Sequence, residues 1–435
     1  MAAALLLPAV CAHAQTSTTG TYGSFSPYSI YGVGEISKGG TAHSRSMGGV
    51  GIASRNRRFI NVSNPAAVAV RDTLAFMADF GLYEDNKIYA QGSKRGAENT
   101  FNVNNIVMSF PIWRSSAFLV GLSPFSDIGY SFSSKEQSDE LLGHVGNITY
   151  DSYGNGSLYQ LYASAGATFW KRLSVGAEFI YYFGKLDRNS NETFENSTYR
   201  SITYGTNLNL HGFTGKFGLQ YDQKLSPTMS MTIGATYRLG TKLRGYENHF
   251  AYASQSSVVD TLKSMTYTDT LSHSSNAPRI ADELGVGISL RGSDRWSVEF
   301  NYLRSDWRNS NFELRKGFAA TGKANFTSSV SQSFRAGFEL VPNRNDIRYY
   351  MKRCAYRGGI YYDQDYFLMN GNRVDSYGIT LGITFPVFRW YNGISLGVDM
   401  GRRGSSKGMM ISETYFKFVV GFNIHDIWFQ KPKYN

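Results

Sequence analysis

Met229, Ser230, Met231, Thr232, Ile233, Gly234, Ala235, Thr236, Tyr237, Arg238 and Leu239 place an apolar residue at every odd position and a small, polar or charged one at every even position. A period of two puts these sets on opposite faces of a β-strand. A strand whose faces differ this cleanly lies between two environments, and the same alternation recurs almost to the C-terminus. Lipid on one side and a polar lumen on the other satisfy it. A closed barrel is one of only two ways in which a backbone can cross a membrane.

Alternation and turn punctuation outline fourteen strands, near residues 73–82, 103–110, 117–124, 158–169, 173–184, 211–221, 229–240, 281–290, 296–303, 332–340, 355–363, 377–385, 393–401 and 414–424. Short links alternate with long polar ones, such as residues 83–102, 125–157, 185–210, 241–280 and 305–331. Outer-membrane barrels show this asymmetry, with short periplasmic turns and long external loops. The even strand number brings both ends of the sheet to the periplasmic side.

Composition agrees. Aromatic residues make up 15% of the chain, with Tyr 30 and Phe 29, which suits the aromatic girdles of such a barrel. No apolar run approaches the ~18 residues of a membrane-spanning helix. The polar face carries Asp79, Glu178, Lys216, Arg238, Arg291, Glu299, Arg335, Glu339 and Asp399, too much charge for the dry interior of a soluble sandwich and suited to a wet lumen. The net charge of +11 implies outer-membrane lipid and lipopolysaccharide as surroundings rather than a specific acidic ligand, and no motif suggests nucleic acid.

The N-terminus has a short apolar core, Ala2 to Leu7, and an A-x-A-type site that places signal cleavage between Ala14 and Gln15, hence export to the outer membrane of a Gram-negative cell. Its loss leaves Cys354 as the only cysteine, so no intramolecular disulfide forms. The expected organisation is a signal peptide over residues 1–14, an N-terminal plug over 15–72, a transmembrane β-barrel over 73–429 and a short tail over 430–435.

Chemistry-bearing motifs are scarce. Gly393, Ile394, Ser395, Leu396 and Gly397 match G-x-S-x-G, but the motif lies inside an alternating strand, whereas a nucleophile elbow needs a strand-to-helix turn. The seven histidines show no metal-ligand spacing. No catalytic residue, metal site or cofactor is expected.

Residues 15–72 lack strand alternation. They contain Ser46, Met47, Gly48, Gly49, Val50, Gly51, Ile52, Ala53 and then Asn64, Pro65, Ala66, Ala67, small residues that allow compact turns. A small-residue stretch followed by Asn-Pro-Ala ahead of the first strand resembles the FadL family of outer-membrane transport proteins. So does Ser123, Pro124, Phe125, Ser126, Asp127, Ile128, Gly129, Tyr130 at the end of the third strand. The resemblance implies a hatch, with Gly48, Gly49, Asn64, Pro65 and Ala66 as its motif, and a kinked third strand with a lateral gap at Pro124 and Phe125. Proline lacks the ladder donor, which gives that gap a physical basis.

It also implies passive uptake of small hydrophobic molecules such as long-chain fatty acids, with Tyr22, Phe25, Tyr28, Ile30 and Tyr31 as a segment that either faces the ligand or packs against the inner wall. Arg45, Arg55, Arg57, Arg58 and Arg71 make the plug basic, available to pair with Asp79 and Glu178 or with a ligand carboxylate. The external loop after the third strand departs from the family. Lys135, Glu136, Asp139, Glu140 and Asp151 leave no greasy capture groove. The alternative is a non-transporting subunit of a larger outer-membrane complex for protein export or barrel assembly, with other outer-membrane proteins as partners.

Overall fold

The computed structural model describes residues 23–427 apart from 73, 114, 197, 256–257, 260–264, 272–275, 294, 321–323, 389–391 and 406–409. The signal peptide, its cleavage point, Tyr22 and the 430–435 tail lie outside the described residues.

Fourteen long antiparallel strands form the barrel: β1 Ala75–Gln91, β2 Lys94–Trp113, β3 Ser116–Lys135, β4 Ile148–Phe169, β5 Leu173–Phe194, β6 Ser201–Lys224, β7 Met229–Arg238, β8 Glu283–Gly292, β9 Trp296–Asp306, β10 Val330–Leu340, β11 Ala355–Met369, β12 Asn372–Phe388, β13 Asn392–Arg403 and β14 Ser412–Ile427. Each pairs with its chain neighbours, and β1 pairs with β14 from Ala75↔Ile427 to Ala90↔Ser412, closing the cylinder. On β7 the expected sidedness holds. Ile233 and Tyr237 are exposed towards lipid, while Thr232, Thr236 and Arg238 are buried.

The expected long loops are largely strand. β1 and β2 run on to a two-residue turn, Gly92 and Ser93, and β4, β5 and β6 reach 22 to 24 residues, well beyond the ~9–11 that cross a bilayer. Residues 185–192 therefore pair with 202–209 as β-ladder. Past the lipid band the outer face of β5 becomes Lys185, Asp187 and Asn189, while Leu186, Arg188 and Ser190 stay buried inside. Apolar alternation stops there although structural alternation continues, because water has replaced lipid. Between β7 and β8, Arg244–Gln255 returns to pair with β6 and with Met265–Thr270.

The core sits in the lumen. Residues 23–72 fill the cylinder, and the β9–β10 connection folds in from the external end with Trp307, Phe312 and Phe318 fully buried. The lumen is largely filled: Asp79, Glu178, Arg238, Glu299 and Glu339 are each at most 8% exposed.

Candidate functional site

The plug is seated through its small residues. Asn64 caps the short 3-10 helix Pro65–Ala69, its Oδ1 accepting from the Ala66 N–H at 3.0 Å and its Nδ2 donating to the Ile52 carbonyl at 2.7 Å. The helix lies on β4, β5 and β6, where glycine permits contact: a Cβ on Gly176 would fall 2.3 Å from the Pro65 backbone, and one on Gly218 2.0 Å from Asn64 Oδ1. Gly48 and Gly49 adopt φ of +72° and +78°, the left-handed region. The Gly48 N–H donates to Thr380 Oγ1 at 2.7 Å. The five motif residues thus fasten the plug to opposite walls of the barrel.

Phe25, Tyr28, Ile30 and Tyr31 are buried, between 1% and 8% exposed. Tyr31 stacks on Phe326 and Tyr366 and packs edge-on against Phe312 and Phe367. Its carbonyl accepts from the Tyr366 hydroxyl at 2.9 Å. The Tyr28 hydroxyl donates to the Ile411 carbonyl at 2.6 Å. The segment forms a packed aromatic cluster rather than the wall of an open pocket.

The third strand departs from regular pairing. β2 and β3 pair only from Trp113↔Ser116 to Ile106↔Leu122 among the described residues, and the β3–β4 register shifts between Pro124 and Ser126. Above that point β3 turns inward, with Pro124 to Tyr130 buried on both faces, and Phe125 packs on Tyr182 at 4.7 Å. The abandoned edge does not stay open. Glu35–Ile36 of the plug pairs antiparallel with Asp127 and Ser126. The Ser37 N–H donates to the Phe125 carbonyl at 2.8 Å, and the Ser26 N–H to the Gly129 carbonyl at 2.7 Å. From the β2 side, Asn102 and Asn104 donate to the carbonyls of Gly23 and Gly40. Buried backbone groups need partners, and the plug supplies those that β2 gives up.

Behind this seam lies a charged network absent from the sequence expectations. Glu35 meets Lys87 at 2.7 Å and Arg403 at 3.6 Å. Arg403 also meets Asp365 at 2.8 Å and Glu413 at 3.7 Å, and Asp85 joins Lys87 at 3.4 Å and Lys417 at 2.9 Å. Burial disfavours the Glu35 charge, but Lys87, Lys417 and Arg403 outweigh it and hold the carboxyl well below its ordinary range. The signal was charge at inward positions of strand ends, where apolar alternation no longer marked a strand. Among the described residues, Arg45, Arg55 and Arg71 pair with neither Asp79 nor Glu178. Asp79 accepts from Asn105 and Glu178 from Ser164. Arg45 and Arg71 donate to the backbone carbonyls of Lys38 and Val68, and Arg55 to Ser174.

A lumen cavity of about 260 Å³ adjoins this region, lined by Glu35, Lys38, Glu178, Lys216, Arg238, Asp363 and Arg403 alongside Phe125 and Ile180. It is small and charged. Ser395 of the G-x-S-x-G match lies mid-strand in β13, buried against Thr384 Oγ1 at 2.6 Å.

Solved structures similar to this chain include toluene transporters and a FadL homologue. A Pseudomonas putida toluene transporter, TodX, aligns with a TM-score of 0.59 at 15% identity over 91% of this chain and 100% of that one. The Ralstonia pickettii toluene transporter TbuX gives 0.56 at 16% over 89% and 98%. A Pseudomonas aeruginosa FadL homologue gives 0.56 at 10% over 91% and 100%. At such identities the likeness establishes the fold. No curated protein sequence matches. A family model described as BamG matches residues 1–435, and the chain therefore belongs to the BamG family, an outer-membrane β-barrel of FadL-like fold.

Proposed function

We propose that this chain is a non-enzymatic, non-transporting FadL-like subunit of a larger outer-membrane complex serving protein export or barrel assembly. One observation carries this reading. The kinked seam through which a hydrophobic molecule would leave the lumen is capped by the plug, strand to strand and carbonyl by carbonyl. The lumen cavity behind it presents charges, which a lipophile would have to desolvate. Membership of the BamG family is consistent with this reading.

A second reading, passive uptake of small hydrophobic molecules with lateral exit, is favoured by the retained kink at Pro124 and by the likeness to toluene transporters. In it the plug would have to withdraw from β3.

Purification from native outer membranes in mild detergent, with mass spectrometry of proteins and lipids together, separates the two. A stoichiometric protein complex without a co-bound lipophile is the expected result. A chain that purifies alone, carries a hydrophobic compound and conducts it into liposomes would overturn the subunit reading.

A further inference from the structure

One connection at the periplasmic end of the barrel is unlike the others there. At the end holding Ala75 and Ile427, most links between strands are short, as at Trp113–Ser116 and Gly292–Trp296, but β10 and β11 are joined by residues 341–354. Short turns and both sheet ends mark this end as periplasmic. The long link is built rather than slack. Asp346 Oδ1 accepts the N–H groups of Arg348 and Tyr349 at 2.9 and 2.6 Å, and Lys352 approaches Asp346 at 3.7 Å. A 3-10 turn, Tyr350–Arg353, follows, with the Tyr350 hydroxyl donating to the Pro386 carbonyl at 2.9 Å. This frame presents Ile347 at its tip, 97% exposed.

Beside the loop, the periplasmic mouth of the plugged lumen is a cavity of about 280 Å³ lined by Arg55, Arg57, Arg58, Arg291 and Arg344, against only Asp72 and Glu339. Arg55, Arg57 and Arg58 come from the plug and Arg291 from the end of β8, so all four lie inside the ring of strands, away from the surrounding leaflet, while Arg344 reaches over from the loop. An occupant must come from the periplasm, carry negative charge and offer an apolar recess to Ile347.

We infer that this face docks an acidic segment of a periplasmic polypeptide, with Ile347 as the apolar anchor and the mouth arginines supplying charge complementarity. The inference rests on the subunit reading and names where the partner sits. Central apolar anchors ringed by charge are the common form of such interfaces.

Ile347→Cys, labelled with maleimide-benzophenone in native outer membranes, tests it, since Cys354 is buried. The expected result is a photo-adduct with one co-purifying protein at an acidic peptide. Its yield should fall tenfold or more in the Arg57→Glu, Arg58→Glu background, and also on raising salt from 0.1 to 1 M without any arginine change, because screening shortens to about 3 Å. Ser93→Cys at the external end should give no such adduct. Lipid-only adducts, or a protein adduct indifferent to both charge reversal and salt, would overturn the inference. A complex that persists while crosslinking only through Ser93 would overturn it and leave the subunit reading intact, whereas a chain that purifies alone would remove both.

Discussion

The barrel has two seams that ought to be alike and are not. Where β14 meets β1, sixteen residue pairs run in unbroken register from Ala75↔Ile427 to Ala90↔Ser412. Where β2 meets β3, the ladder stops at Ile106↔Leu122, and the upper part of β3 leaves the wall. The first seam is closed by the sheet. The second is closed by the plug, whose backbone takes over the β3 edge and whose Glu35 is tied to Lys87 and Arg403. One chain thus uses both available remedies for a strand edge in a membrane: pairing it within the sheet, or covering it from inside.

The comparison breaks most completely if the cover is removed. Deleting residues 23–40 should leave β1–β14 intact and open the β2–β3 seam, raising conductance in planar bilayers many-fold and sensitising cells to bulky antibiotics. An unchanged conductance would mean that the plug does not close the seam.

Gly129→Val is next in size. A Cβ there falls 1.8 Å from the Ser24 carbonyl oxygen, and relieving that overlap costs about 1–3 kcal/mol. The plug should become cleavable by added protease while the barrel keeps its heat-dependent gel mobility. Protection equal to the parent protein would show that the plug does not lie on β3 so closely.

Glu35 supplies a pH test. Its carboxyl ionises more readily in the folded protein than at the ordinary glutamate value of 4.5, so its charge adds stability above that value and loses the contribution as pH falls below it. Protease protection of the plug should weaken under acid in the parent chain. Glu35→Gln should start weaker at pH 7 and change less on acidification. Identical pH profiles would remove Glu35 from the seam's closure.

The smallest effect belongs to the sheet-closed seam. Phe80 faces lipid at 37% exposure and stacks beside Phe422 at 6.5 Å. Phe80→Ala should cost about 1 kcal/mol or less and leave plug protection unchanged. Increased plug cleavage would show that the two seams are coupled.

The alternation from Met229 to Leu239 determined by itself that this chain is a lipid-facing barrel, because a period of two between unlike environments leaves little else possible. Fourteen strands were legible for the same reason: lipid against one face leaves a local mark on each of them. The strand extensions past Phe183 were not legible, since water on the outer face erases the apolar pattern while the ladder continues. Nor was the burial of Asp79, Glu178 and Glu299, because a charge at an inward strand position gives no sign of what fills the lumen beside it. Only the tertiary structure decided that Tyr28 and Tyr31 join a buried aromatic cluster, that Arg45, Arg55 and Arg71 spend donors on carbonyls and on Ser174 and Ser109, and that Glu35 meets Lys87 and Arg403. Those contacts follow no strand period, and some join residues as far apart as Tyr31 and Tyr366, so no local periodicity records them.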